Sequence, residues 1–321
     1  MAGRVDTTLQ QGYLECRRQT RQHARTFFFA SHVLPVEKRS AAYAVYAFCR
    51  RADNVVDHRT TGTPGADLVA LRSDLDDVYG GGGTLEPASL ALRDTVERYG
   101  IPREYFEDLL RGVEMDLSIT RYATFAELED YCYCVASVVG LMMSRVFGVS
   151  EPSALERALE MGTAMQLTNI LRDVGEDYRM GRIYLPQSEL EAFGYGEEDL
   201  AQGRVDQRFV RLMTFQIDRA REYYRRAAPG IEHIPDDGSR SCARLMSSTY
   251  AGILDRIEAN GYDVFGRRAV VPLAGKLRIA AATLFHGGGS AVQRSRRPED
   301  DNGPHSSGRG EHRIKAGGTT P

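Results

Sequence analysis

Apolar residues recur three and four positions apart along most of the chain, which is the spacing of one face of an α-helix. The segments with this spacing are 38–58, 66–79, 87–98, 103–117, 125–147, 152–178, 208–228 and 239–260. No stretch alternates apolar and polar residues long enough to indicate a β-strand. Glycine and proline interrupt the pattern where connections are expected, as at Gly80 to Gly83 and at Pro235 to Gly238. The pattern therefore predicts an all-α protein.

Two of these segments carry carboxylates one helical turn apart. Asp53 and Asp57 are four positions apart, and Asn169, Asp173 and Asp177 repeat the same spacing. Such positions lie one above the other on a helix, so each segment presents a stacked pair of acids. Like charges this close repel unless a cation lies between them, and carboxylate oxygens suit Mg2+, which completes its octahedron with water and substrate phosphates. The two ladders therefore predict that these five residues bind Mg2+ or Mn2+ and, through it, two diphosphate substrates.

Acids at this spacing more often form a solvated helix face. The surroundings argue against that here, because the other residues beside Asp53 are apolar: Ala44, Val45, Ala47, Phe48 and Cys49. Tyr46 and Arg50 continue the first acidic face, and Gln166 precedes Asn169 on the second. Polar groups on helices buried on most sides are costly unless they are paired or functional. Both faces are therefore expected to point into one cavity.

Metal-assisted departure of an allylic diphosphate leaves a carbocation, which needs a water-free cavity with apolar and aromatic walls. The candidates for that wall are Phe27, Phe48, Tyr131, Val135, Val139, Leu141, Met142, Met165 and Leu167. Such stripes are more often ordinary core, so about half of them are expected to line the cavity. The chain shows no recognisable signature of a covalent nucleophile and no HExxH zinc motif.

Five motifs follow one another along the chain: HARTFFFASHVLP, YAFCRRADNVVD, YCYCVASVVGLMMSRVFG, QLTNILRDVGEDYRMGRIYLP and GYDVFGRRAVVP. In order and separation they resemble the signatures of the squalene/phytoene synthase family, from about residue 12 to about residue 285. The chain looks most similar to the bacterial phytoene synthase branch. The resemblance implies a single-domain helical bundle of the isoprenoid synthase type around a central cavity.

The resemblance also implies a reaction, the head-to-head condensation of two geranylgeranyl diphosphates to phytoene through prephytoene diphosphate. Residues at family positions that contact diphosphate or metal are Arg50, Gln166, Asn169, Arg172, Tyr250 and Arg267, and tyrosines that line the site are Tyr46, Tyr131 and Tyr184. Arginine forks suit the free oxygens of a diphosphate. For Arg50 and Arg172 the alternative is an ion pair within the helix.

The sequence departs from the family pattern at three places. Ala24 and Phe28 replace a serine and a tyrosine of the first motif, Asn54 replaces a third acid, and Ser137 replaces a glycine at a close approach. The last change also resembles relatives that use C15 substrates to make presqualene diphosphate, squalene or dehydrosqualene, so the chain length of the substrate stays open. No nicotinamide cofactor is expected, although the lack of a GxGxxG motif excludes little, because this helical family does not use that fold.

Two other functions are less favoured. A binding protein that kept the fold and lost catalysis would have no reason to keep all four aspartates. A head-to-tail prenyl elongation enzyme would carry DDxxD motifs, which the sequence lacks.

Composition narrows the possible partners. The net charge is -3, and the Lys and Arg residues are scattered along the sequence. The sequence therefore shows no basic cluster of the kind that binds nucleic acid. Five cysteines without a CxxC pair, and a polar N-terminus without a secretory signal, indicate a reducing cytoplasm, with Cys132 and Cys134 as core residues. No apolar run reaches the roughly 18 residues needed to cross a bilayer. A cytoplasmic monomer is expected.

The C-terminal part divides into two pieces. Beyond residue 285 almost no apolar residues occur, which predicts a helical domain over 1–285 and a disordered tail over 286–321. The preceding segment combines four cations with apolar residues: Arg267, Arg268, Lys276 and Arg278 with Leu277, Ile279, Leu284 and Phe285. Because a C40 hydrocarbon scarcely dissolves in water, this segment is expected to bind the inner face of the membrane peripherally. The alternative is a last core helix with solvated charges.

Overall fold

Helices form nearly all of the computed structural model, which describes residues 2–57, 64–82, 85–149 and 151–285. They are α1 (Ala2–His23), α2 (Arg25–Ala30), α3 (Val36–Asp57), α4 (Pro64–Gly80), α5 (Pro87–Tyr99), α6 (Arg103–Ser118), α7 (Phe125–Cys132), α8 (Val138–Phe147), α9 (Pro152–Arg179), α10 (Gln187–Ala192), α11 (Glu197–Ala201), α12 (Gln207–Ala227), α13 (Ser239–Ala259) and α14 (Leu273–Phe285). The described residues contain no β-strand, only an isolated bridge between Arg121 and Ile183. The all-α prediction is confirmed, whereas the predicted tail over 286–321 lies outside the described residues.

The predicted helical segments match these helices to within a few residues, but α1 and α2 were not predicted. The buried stripe of α1 mixes apolar and polar residues, with Cys16 and Thr20 fully buried and Tyr13 bonded through its hydroxyl to Asp94 at 2.5 Å. A stripe of this composition gives only a weak hydrophobic period. The helices α10 and α11 are too short for periodicity to reveal.

Two hydrophobic clusters form the interior. The first joins α3, α4, α5, α6 and α8 around Phe48, Phe106 and Met142. The second joins α7, α9, α12 and α13 around Leu167, Phe209 and Leu254. Cys132 and Cys134 are fully buried free thiols, so their predicted place in the core is confirmed.

The predicted segment 125–147 is not one regular helix, because a π-helical turn over Tyr133–Ser137 separates α7 from α8. At this turn Ser137 meets Gly162 of α9, where an added Cβ would lie 2.4 Å from the Ser137 Cα. The Ser137 hydroxyl donates to the Leu159 carbonyl at 2.8 Å and lies 3.1 Å from the Thr163 hydroxyl. The close approach therefore depends on the glycine of α9, and Ser137 fits with its hydroxyl satisfied.

Candidate active site

A cavity of about 1160 Å³ is lined by both clusters, with walls from α2, α3, α6, the π-helical turn, α8, α9 and α13. Ala154 and Asp173 both line it and both belong to α9, which places them about 28 Å apart at 1.5 Å per residue. Its volume exceeds the roughly 300–1,000 Å³ of ordinary small-molecule sites. The cavity is long enough for extended chains.

Helix α3 contributes the first predicted ladder. Tyr46, Arg50 and Asp53 follow one another at spacings of four and three, and all three line the cavity. Burial raises the pKa of Tyr46 to about 12, further above neutral pH than the ordinary value for tyrosine. Asp57 is the last residue of α3, and its side chain lies outside the described part of the structure.

Helix α9 contributes the second ladder, with Gln166, Asn169, Arg172 and Asp173 in the cavity wall. The Asn169 amide donates to Gln166 Oε1 at 3.3 Å. Arg172 donates through Nε to Asp173 Oδ1 at 2.9 Å and through a second nitrogen to Oδ2. The alternative of an ion pair within the helix is thus seen for Arg172, although the pair itself faces the cavity.

Asp177 lies outside this wall, although it is one turn beyond Asp173. It lines a small separate pocket that also includes Tyr184 and Arg182. Burial, and then the charge of Asp173, raises the pKa of Asp177 to about 7. A cation bound nearby would relieve this crowding of like charge.

The donors in the wall fit a hard divalent cation. Asp53, Asp173 and the amide oxygens of Gln166 and Asn169 offer only oxygen. Among the described side chains, no three of the types Asp, Glu, His and Cys converge as a metal site. Mg2+ is usually held by one or two carboxylates and completes its shell with water and phosphate, so a closed protein cage is not required.

A tyrosine cluster lies beside the acidic ladders. The Tyr131 hydroxyl donates to Asp116 Oδ2 at 3.0 Å, and the Tyr184 hydroxyl donates to Oδ1 of the same carboxylate at 2.7 Å. The two rings stack with centroids 5.1 Å apart. Tyr131 and Asp116 line the cavity, while Tyr184 supports them from behind. Burial raises the pKa of both tyrosines well above the ordinary value.

The predicted cation Arg267 does not line the cavity, and its neighbour Arg268 does. Arg268 Nε lies 3.0 Å from Asp173 Oδ1, and a terminal nitrogen donates to Oδ2 at 3.1 Å. Tyr250, also predicted, is in the wall. Both arginines lie in an irregular segment between α13 and α14, so a match by motif alone cannot decide which of them faces the site.

Five of the candidate apolar lining residues lie in the wall: Phe27, Tyr131, Val135, Val139 and Met165. The other four do not line the cavity and are buried in the helical core: Phe48, Leu141, Met142 and Leu167. They lie on the faces of α3, α8 and α9 that turn toward other helices. Five of the nine candidates therefore line the cavity.

Sequence reasoning missed five charged residues of the wall: Arg25, Asp116, Arg157, Arg182 and Arg268. For Asp116 a signal existed, because it continues the stripe of Leu109 and Val113 on α6, which are both in the wall. An acid on the apolar face of a helix is costly without partners.

Comparison with known proteins agrees with this geometry. Residues 20–274 match the family described as squalene/phytoene synthase. The chain is 43% identical over 291 residues to a 15-cis-phytoene synthase from Synechococcus elongatus, a match that covers 85% of this chain and 92% of that one. It is 44% identical over 284 residues to a 15-cis-phytoene synthase from Synechocystis sp., covering 84% and 83% of the two chains.

Among solved structures, the chain is similar to a dehydrosqualene synthase crystallised in complex with ligand. The TM-score is 0.82 at 30% identity, and the match covers 88% of this chain and 98% of that one. The predicted isoprenoid synthase-type bundle is thereby confirmed.

Proposed function

The chain belongs to the squalene/phytoene synthase family, and from this premise we propose that it condenses two geranylgeranyl diphosphates to phytoene in carotenoid biosynthesis. The first substrate ionises, and its bonding pair leaves with the diphosphate. A double bond of the second substrate captures the allylic cation, and proton loss closes the cyclopropane of prephytoene diphosphate. A second ionisation, rearrangement and proton loss give phytoene.

One observation carries this proposal: the wall of a single cavity changes from mainly apolar to polar along α9. Apart from Arg157, its N-terminal part is lined by small and apolar residues such as Ala158, Met161 and Met165, and Arg172 and Asp173 line its C-terminal part. A prenyl diphosphate has the same division, with a long apolar chain and a dianionic to trianionic head. The substrate head therefore lies between the two acidic ladders, with its chain along the apolar part.

The acidic residues act on the head group through a metal ion. Asp53, Asp57, Asn169, Asp173 and Asp177 would hold Mg2+ or Mn2+, which would supply positive charge to neutralise a departing diphosphate. Arg50, Arg172 and Arg268 offer donors to the remaining phosphate oxygens.

The apolar wall excludes water from the cation. Phe27, Val135 and Val139 line it without offering a nucleophile, and the Tyr46 and Tyr131 rings present π-faces to positive charge. Tyrosine hydroxyls are protonated at neutral pH, and burial raises the pKa of both still further.

A C15-using activity is the second candidate, because a dehydrosqualene synthase has the same fold at a TM-score of 0.82. The higher identity of 43% to a 15-cis-phytoene synthase favours the C20 substrate. The test is incubation with C15 or C20 diphosphate and Mg2+, followed by extraction and mass analysis. Phytoene from the C20 substrate is expected, and turnover of the C15 substrate alone would refute the proposal.

We also propose that the protein binds the membrane surface peripherally. Among the described helices, none is long and apolar enough to cross a bilayer. Helix α14 packs on the core through Ile279 and Ala280. Its other side leaves Leu273 65% and Leu277 52% exposed. Val270, just before the helix, is 58% exposed and also lines the cavity. An apolar product can therefore pass from the cavity toward lipid along this surface.

Cosedimentation with anionic vesicles tests this surface. The double variant Leu273→Asp, Leu277→Asp should lower the bound fraction, as should Arg278→Glu at low salt. Lys276 is a poor target, because its ammonium donates to the Thr26 hydroxyl at 2.7 Å. Val69→Asp is the control, since Val69 is equally exposed, at 67%, on α4. Equal binding by all of these variants would contradict the proposal.

A further inference from the structure

Asp116 is unusual among the acids of the cavity, because both of its carboxylate oxygens accept hydrogen bonds from tyrosine hydroxyls. Tyr131 donates to Oδ2 at 3.0 Å and Tyr184 to Oδ1 at 2.7 Å. Arg182 donates to the Asp116 backbone carbonyl at 3.3 Å. These contacts join α6 to α7 and to the segment after α9, in a region where Tyr131 is 4% and Tyr184 8% exposed. The carboxylate is therefore held from two sides.

The contact fixes where the Tyr131 hydroxyl points. A phenol has one hydrogen to donate, and the remaining lone pairs of its oxygen point away from the acceptor. With the hydrogen on Asp116, the oxygen of Tyr131, which lines the cavity, keeps its lone pairs, and the Tyr184 hydroxyl oxygen lies 3.4 Å from it. A hydrogen bond to an anionic acceptor also raises the electron density on the phenol oxygen. That orientation favours positive charge near the ring, whereas the opposite orientation would place a hydrogen against a cation.

We propose that Asp116 is a positioning residue that holds the Tyr131 hydroxyl oxygen toward the carbocation, with Tyr184 fixing the carboxylate from behind. The proposal rests on the proposed prenyl transfer. It assigns to Asp116 no contact with the diphosphate and no covalent step. Its effect therefore belongs to the steps after substrate binding.

The chain contains a matched control pair. The Tyr133 hydroxyl donates to Asp108 Oδ2 at 2.8 Å, and this pair joins α6 to the π-helical turn that directly follows α7. Neither residue lines the cavity. Asp108→Asn therefore makes the same chemical change, on the same helix and against the same kind of donor, away from the reaction.

The experiment is a double-mutant cycle on Asp116→Asn and Tyr131→Phe, with Asp108→Asn beside it. In Asp116→Asn the amide can donate to the Tyr131 oxygen, which reverses the direction of the hydrogen bond. The kcat should therefore fall roughly ten- to a hundredfold, which corresponds to the free energy of a charge-assisted hydrogen bond. KM should stay within about twofold. In the Tyr131→Phe background the same change should have no further effect on kcat. Asp108→Asn should keep wild-type kcat while its thermal midpoint falls as much as that of Asp116→Asn.

Two results would overturn the proposal. If Asp116→Asn lowers kcat as much in Tyr131→Phe as in the wild type, Asp116 acts directly and not through Tyr131. If Asp116→Asn and Asp108→Asn have equal effects on kcat, the role is structural. If Asp116→Asn does not fold, Tyr184→Phe provides a second test, because it removes one of the two hydrogen bonds to the Asp116 carboxylate. A lower kcat at unchanged KM would support the proposal, and wild-type kcat would refute it.

A measurement that does not require turnover tests the role of Asp116 independently of the proposed reaction. In protein labelled with 13C at tyrosine Cζ, the Tyr131 resonance should shift in Asp116→Asn and stay in place in Asp108→Asn. An unmoved resonance would show that the hydrogen bond is absent, whichever substrate the enzyme uses. Failure to form phytoene with an intact resonance shift would instead count against the substrate assignment alone.

Discussion

Changing Arg268 to glutamine, with Arg267 to glutamine as the matched control, compares what the motif implies with what the structure places in the cavity. Arg268 lines the cavity and forms a two-point pair with Asp173, at 3.0 Å and 3.1 Å. Arg267 is exposed and is not in the wall. The two variants carry the same change of charge one residue apart, so long-range electrostatic effects on them are nearly equal.

The expected loss of activity in Arg268→Gln follows from the exposure of the Arg268 side chain, which is 55%. Hydrogen bonds to charged groups contribute about 1.5–3 kcal/mol, and half exposure favours the lower end, about 1.5 kcal/mol. That is about a tenfold loss in kcat/KM, chiefly through KM, because the lost donors bind the substrate head. The free energy of unfolding should change by less than about 1 kcal/mol, since a half-exposed ion pair contributes little to stability.

The assay is kcat/KM for limiting C20 diphosphate at saturating Mg2+, with thermal unfolding of both variants as the control for folding. Arg267→Gln should stay within about twofold of the wild type, since Arg267 does not line the cavity. A larger loss for Arg267→Gln than for Arg268→Gln would refute the reasoning, because the motif-based assignment would then be right and the observed wall wrong. Equal small effects would show that neither arginine binds the head group.

Four further outcomes are expected. Asp173→Asn should abolish turnover at saturating Mg2+ while circular dichroism stays helical, and normal turnover would end the metal assignment. Gly162→Ala should lower the free energy of unfolding by about 1–3 kcal/mol, because its Cβ would lie 2.4 Å from the backbone of the facing turn. Gly65→Ala, at an exposed position of α4 with nothing within 4 Å, should not lower it. In chelator, thermal stability should fall as pH rises from about 4 to about 7, because folded Asp177 keeps a proton that the unfolded chain has released there, and Asp177→Asn should flatten that profile. Deletion of residues 286–321 should leave activity unchanged in the C20 assay, and loss of activity would show that the tail is needed.

The longer helices from α3 to α13 and the spacing of the acidic residues on them could be predicted from the sequence alone. In α3 and α9 the period of apolar residues, the absence of helix-breaking residues and the spacing of acids all indicate an α-helix with one polar face. That geometry puts Tyr46, Arg50 and Asp53 on one side of α3 without reference to the rest of the molecule. The family motifs could also be identified from the sequence, because each of them lies within one continuous segment.

Tertiary structure alone decided which helix faces meet, and therefore which residues share the cavity. Tyr184 reaches Asp116 across 68 residues of sequence, a contact that no local period encodes. The choice of Arg268 over Arg267 depends on how an irregular segment crosses α9, and the fit of Ser137 depends on Gly162 of another helix. Periodicity shows that a helix has a buried side, but packing decides whether that side faces another helix or a cavity. For this reason Phe48 and Met142 lie in the core while Val135 and Val139 line the site.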